Sequence, residues 1–369
     1  MLLGQGVVAL GGVPQQASEL FAEARRYEQA GDLKNAEKAY IRYLEEFPGS
    51  AQAHANLGVV YSHETKFDQA IDEYRSALKL DSSLRGVYLD LGIAYFRQSK
   101  FEAARGPLQK FLSYEPASAQ ARTLLGLSYA QLDRYDEAVR VLAPLGAHAD
   151  AAALFTLGAC YVRLGRMQDA KSIFERLVAS DAASPRLHFL LGQTYLGLNE
   201  YPQALKEFED VYALDHEWPH IDYLLGGVEA SLGRFQDAER HLRKELTRDP
   251  HSFEINFVLG ALLSKGAKYN EAIPFLTQAV NANPEHSEAL YELARAHWKT
   301  GMDHEALNEA RAAIKCDPKN RPAHYLLAQI AKQAGDQQTA QRELSIAASL
   351  SQKESERDVF RLSALSQKP

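Results

Sequence analysis

Between residues 54 and 80 the small and apolar positions fall into two stripes. Leu57, Gly58 and Tyr61 sit at i, i+1 and i+4, and Ala70, Tyr74 and Ala77 at i, i+4 and i+7. The polar stretch Glu64-Thr65-Lys66 separates them. Spacing of this kind puts side chains on one face of a helix. The segment therefore predicts two amphipathic helices of about 12 to 14 residues joined by a tight turn. Glycine inside a helix costs ~1 kcal/mol against alanine. A glycine kept at such a place predicts close helix crossing as the compensation.

The same pattern recurs along nearly the whole chain. Ala36, Ala70, Ala104, Ala138, Ala170, Ala204, Ala238, Ala272, Ala306 and Ala340 form a ladder with a period of 34 residues, broken once by a step of 32. A second ladder runs Gly58, Gly92, Gly126, Gly158, Gly192, Gly226, Gly260, Ala294 and Ala328, each preceded by leucine. A third is Tyr27, Tyr61, Tyr95, Tyr129, Tyr161 and Tyr195. Pro48, Pro116, Pro250, Pro284 and Pro318 fall at unit ends, where a helix must stop. This arrangement resembles the tetratricopeptide repeat. The resemblance covers residues 17–350 as ten units: 17–50, 51–84, 85–118, 119–150, 151–184, 185–218, 219–252, 253–286, 287–320 and 321–350. It implies an all-α solenoid wound as a right-handed superhelix, with the first helix of every unit lining the concave wall. Val359, Leu362 and Leu365 suggest a capping helix in 351–369.

Three departures stand out. Unit four is two residues short, and Pro144 and Gly146 should end its second helix early. The tyrosine ladder stops at Tyr195, and Glu229, Leu263, His297 and Ala331 follow in its place, which predicts looser packing in the C-terminal half. Glu229 and Glu245 put two acids at packing positions of unit seven, where an unpaired buried acid would be costly.

Composition narrows the function. The net charge is −7 and there is no basic run, which argues against nucleic acid as partner. No apolar run is long enough to span a membrane. The apolar, Gly-rich start at 1–14 fits either a cytoplasmic start or the end of a signal peptide that begins upstream. Cys160 and Cys316 share no metal or redox spacing and read as two buried small residues.

Catalytic motifs are weak or missing. His216-Glu217-Trp218-Pro219-His220 spells a zinc-protease signature, but Pro219 should open a new helix there, so the two imidazoles would not share one helical face. His54, His188 and His324 recur at one repeat position and are expected to fill packing space. No catalytic residue, cofactor or metal is expected. Some tetratricopeptide domains clamp the acidic tails of heat-shock chaperones. The corresponding positions here are Phe21, Arg25, Asn56, Gly86 and Asp90, of which only Asn56 suits that role.

One stripe does suggest binding. Phe155, Phe189, Tyr223, Phe257, Tyr291 and Tyr325 lie 34 residues apart on the first helices, with Leu196 and Trp298 two turns on and small residues such as Ala159, Gly227 and Ala261 between. Aromatics at this position also help pack the repeat. The expected function is an interaction scaffold that holds apolar helical or extended partner segments. The alternative is a non-catalytic regulatory or assembly subunit of an enzyme complex.

Overall fold

The computed structural model describes the backbone of residues 15–365 and the side chains of 16–351; the start at 1–14 and the side chains of Val359, Leu362 and Leu365 lie outside that range. The chain divides into two compact bodies, Met1–Asp181 and Ala182–Pro369. In the first, five hairpins pair α1 (Gln15–Gln29) with α2 (Leu33–Glu46), α3 (Ala51–His63) with α4 (Phe67–Leu80), α5 (Arg85–Arg97) with α6 (Phe101–Tyr114), α7 (Ala119–Gln131) with α8 (Tyr135–Leu142), and α9 (Ala151–Arg163) with α10 (Met167–Ser180). In the second, five more pair α11 (Pro185–Gly197) with α12 (Tyr201–Leu214), α13 (Ile221–Ser231) with α14 (Phe235–Arg248), α15 (Phe253–Lys265) with α16 (Tyr269–Ala282), α17 (Ser287–Lys299) with α18 (Asp303–Cys316), and α19 (Arg321–Gln333) with α20 (Gln337–Leu365). The fold is an all-α solenoid of tandem hairpins, with no strand among the described residues. Within each body the second helix of one hairpin packs on the first helix of the next.

Local chemistry explains the regularity. Ser50, Ser118, Asp150, Ser252 and Asn320 cap first helices by accepting the backbone N–H three residues on. Each turn inside a hairpin places one residue at left-handed φ, among them Thr65 at 60° and Ala267 at 58°. The following N–H closes on the carbonyl five residues back, as Lys66 does on Tyr61.

The glycine ladder marks seats for side chains. A Cβ on Gly58, Gly92, Gly158 or Gly260 would come within 2.6–2.8 Å of Tyr74, Leu108, Phe174 or Leu276, and one on Gly126 within 2.3 Å of Leu142. The compensation expected from close crossing is thus a large side chain of the second helix pressed into the glycine notch. Where Ala294 replaces glycine, the residue sixteen positions on is only Ala310. In the first hairpin Ala24 occupies the notch position and Tyr40 is still fully buried.

Hairpin four is the irregular one. Helix α8 ends at Leu142 and a 3₁₀ turn, Ala143–His148, follows, with Gly146 at φ 53°. Helix α9 packs against α7 as well as α8. Three expectations need correction. Pro219 does not open a helix: α13 begins at Ile221, after His220 at left-handed φ 58°. The helix expected in 351–369 is, over its described backbone, a continuation of α20, which runs unbroken to Leu365. Packing is not looser where the tyrosines stop, since Glu229, Leu263, His297 and Ala331 are all buried.

The acids of hairpin seven are not orphans either. Glu229 accepts from His241 at 2.8 Å, and burial, opposed by that imidazole, raises its pKa. Glu245 meets His220 at 3.1 Å and Arg248 at 3.2 Å. Asp222, fully buried, lies 2.9 Å from both Lys244 and Arg248. Faster exchange in this hairpin, which unpaired acids would have caused, is therefore not expected. His297 and Glu309 repeat the Glu229–His241 contact with the charges exchanged, at 2.8 Å. An acid–imidazole pair thus replaces the tyrosine in two hairpins.

Candidate partner-binding surface

The aromatic stripe is half-buried at every position but one. Phe155 on α9, in the first body, is partly covered. In the second body the ring of Phe189 lies 5.5 Å from Trp218 and 6.3 Å from Phe208. Tyr223 leans on the core around Leu242 and Leu259. Phe257 stacks on Phe253 at 5.7 Å and touches His286 at 5.1 Å. Tyr291 packs beside Ala294 and Leu290. Tyr325 is 53% exposed. Leu196 is half-buried on α11, and Trp298 is half-buried and donates from Nε1 to Gln333 at 3.0 Å. Phe189, Tyr223, Phe257 and Tyr291 thus pack on the repeat core, which is the packing role, yet all four remain partly exposed.

From Phe257 onward that outer edge borders three cavities. One of about 450 Å³ is lined by Phe235, Phe257, Val258, Ala261, Lys265 and Glu292, among others. A second, also about 450 Å³, shares Phe257, Ala261 and Glu292 and adds Tyr291 and Arg321. The largest, about 670 Å³, shares Tyr291 and Arg321 and is walled by Trp298, Tyr325, Leu326 and Leu344. Small Ala261 leaves the room between the rings of Phe257 and Tyr291. Burial raises the pKa of Glu292, whose carboxylate lies 2.7 Å from Arg295. The sequence pointed to Phe257, Tyr291, Trp298 and Tyr325. It missed Phe235 and Leu344, which are 40% and 42% exposed, and the cation Lys299. Leu344 stands on a repeat position that is buried elsewhere, so its exposure had no signal in the periodicity.

The recurring histidines do more than fill space. His54, His188 and His324 bond through Nδ1 to Glu73, Glu207 and Glu343 at 2.5, 2.7 and 2.6 Å. Their Nε2 atoms face the carbonyls of Pro48, Ala182 and Pro318 at 3.1, 3.1 and 3.2 Å. Each trio ties the entry of a hairpin to its second helix. Asp210 stands beside His188 and Glu207, close enough that the three could hold a metal ion. The same His–Glu pair in hairpins two and ten, where Ser76 and Ile346 take the place of Asp210, marks it as structural.

The zinc-protease lookalike lies in a turn between α12 and α13, with His216 and His220 both largely exposed and His220 turned to Glu245. In the first body the amide of Asn56 donates to Tyr40 at 3.0 Å and accepts from Gln52 at 2.8 Å, so it is engaged internally. Cys160 is buried, which pushes its thiol up to about 11, whereas Cys316 is exposed, contrary to expectation. No helix of the described residues is long and apolar enough to cross a membrane.

Two family models, both described as tetratricopeptide repeat, match the sequence. One covers residues 21–84 and 89–150, the other 161–226 and 265–330. No curated protein matches significantly. Among solved structures, the chain is similar in fold to MamA (residues 41 to the end) from Desulfovibrio magneticus RS-1, at 24% identity, covering 46% of this chain and 96% of that one with a TM-score of 0.44. YrrB, described as a TPR protein with an unusual peptide-binding site, gives 21% identity, 48% and 91% coverage and a TM-score of 0.43. A Naa15/Naa10 complex bound to HypK-THB gives 19%, 91% and 64%, and 0.48. These likenesses are of fold alone.

Proposed function

The chain belongs to the tetratricopeptide-repeat family, an architecture that typically serves as a non-catalytic protein-interaction scaffold, and from that premise we propose that it holds partner segments in the trough along α15, α17 and α19. The observation that carries this is the row of partly open rings Phe257, Tyr291 and Tyr325 bordering cavities that share walls. Apolar side chains of a helical or extended segment would enter beside Ala261 and against Trp298. Rings in partly desolvated pockets supply large contact area, and truncating one at a hot spot costs ~2 kcal/mol or more. Phe189, Leu196 and Tyr223 hold the same repeat positions earlier in the second body, and Phe155 does so in the first; Phe189 leans on Phe208 and Trp218, and Tyr223 on the core around Leu242 and Leu259. A role as regulatory or assembly subunit would use the same trough, with the chemistry residing in the partner.

The test is affinity capture with mass spectrometry, comparing the natural chain with Phe257→Ala/Tyr291→Ala. The variant should keep its helical circular dichroism and lose its specific partners. A folded double variant that captures the same set refutes the trough.

A further inference from the structure

The last hairpin departs from a rule that seven others keep. Sixteen residues after each ladder glycine stands a side chain of the second helix, and Tyr74, Leu108, Leu142, Phe174, Phe208, Leu242 and Leu276 are all 1% exposed or less there. In hairpin ten that register position holds Leu344, which is 42% exposed. The neighbouring hairpin shows what normally covers it. On α18 the matching residues Ala310 and Ala313 lie under Leu326, Leu327 and Ala323 of α19, the first helix of the following hairpin. The equivalent face of α20, from Leu344 through Ala347 and Ala348 to Ser351, opens instead on the cavity of about 670 Å³.

The repeat itself therefore specifies the shape of a fitting occupant: one more helix, laid as a first helix of a hairpin would lie. The charge of the wall specifies its chemistry. Among the described residues the cavity is lined by Arg295, Lys299 and Arg321 and by no acid, although the chain has 48 acidic against 41 basic residues. Arg295 is tied to Glu292 and to Ser264, at 2.7 and 2.9 Å, and Lys299 lies over the Trp298 ring at 4.3 Å.

We infer that the exposed face shared by α19 and α20 is a docking face for an amphipathic helix of a partner protein that carries acidic residues along one edge. Its apolar stripe seats on Leu344, Ala347 and Tyr325. Its carboxylates face Lys299 and Arg321. Such charges set register and encounter rate more than bulk affinity. The inference rests on the trough reading for the shared wall of Tyr291, Trp298 and Tyr325.

The test titrates the full-length protein with two synthetic helical peptides that share a Leu/Ala stripe and differ only in bearing Glu or Lys along one edge. Fluorescence anisotropy should show the Glu-edge peptide binding about tenfold tighter at low salt, with the margin shrinking as salt rises. The exposed double change Lys299→Glu/Arg321→Glu should invert the preference, and Leu344→Asp should abolish binding of both peptides while helicity is retained. Equal binding, no binding of either peptide, or an unchanged preference in the charge variant overturns the inference. So does a dimer in sedimentation that Leu344→Asp dissolves, which assigns the face to a second copy. Intramolecular cross-links from residues 352–369 to Lys299 would assign it to the chain's own C-terminal segment and equally overturn it. Leu344→Asp alters no residue of the cavities around Phe257, and Phe257→Ala alone leaves Leu344, Lys299 and Tyr291 intact. Loss of one function without the other tells which idea has failed.

Discussion

Burial pushes the Asp90 carboxyl up to about 6, above its value in an unfolded chain. The folded state then binds that proton more tightly, so the group is neutral and harmless at low pH and destabilises the fold once pH rises through the interval from about 4 to 6. Asp90→Asn should therefore stabilise the first body by ~1–2 kcal/mol at pH 7 and by almost nothing at pH 4. Urea denaturation at the two pH values checks this, and a gain that is independent of pH contradicts it. Two adjacent glycines of α13 give a sharper contrast. A Cβ on Gly226 would sit 2.7 Å from Leu242, whereas one on Gly227 meets nothing within 4 Å. Gly226→Ala should destabilise by ~1–3 kcal/mol through overpacking. Gly227→Ala should stabilise by up to ~1 kcal/mol through helix propensity. Thermal melts that move the same way for both would show that the notch is not what holds the glycine.

Within a hairpin, the elements are held by turns and by buried pairs. Thr65 is β-branched yet adopts φ 60°. Thr65→Gly should relieve that strain and stabilise by ~1 kcal/mol, measured by thermal denaturation, provided the turn rather than the side chain decides. The His188–Glu207 pair is buried on both sides, at 8% and 9% side-chain exposure. His188→Leu leaves the acid alone inside and should cost ~3 kcal/mol or more, while His188→Leu/Glu207→Leu should recover most of the loss. A double variant as damaged as the single one would mean that the pair does more than satisfy itself, and would reopen the metal reading with Asp210. The trough belongs to this scale too. The cavities proposed to form it are lined mainly by first-helix residues such as Phe257, Ala261, Tyr291 and Glu292.

At the scale of the molecule, stability is shared between neighbours, because a hairpin touches chiefly the hairpins beside it within its body. Damage should stay local. Leu276→Ala, at a fully buried notch side chain, should speed amide exchange in α14 to α18 and leave α3 and α4 unchanged. Hydrogen exchange read by mass spectrometry tests this, and loosening spread uniformly over all the hairpins would argue for a single cooperative core.

The period of 34 residues, the small-residue ladders and the unit-closing prolines by themselves determined the solenoid, its hairpins and the break at Pro144, because each depends on contacts between residues close in sequence. They also placed Phe257, Tyr291 and Tyr325 on one face. Tertiary structure alone decided how open that face is. Exposure depends on what the neighbouring helix lays over a position, and an identical register buries Leu276 and leaves Leu344 in the open. Likewise Glu229 and Glu245 looked unpaired because their partners, His241 on the opposite helix and His220 across the hairpin, are brought near only by folding. Periodicity records where side chains point along their own helix; which charge meets which, and which ring stays open, is settled by the helices packed against them.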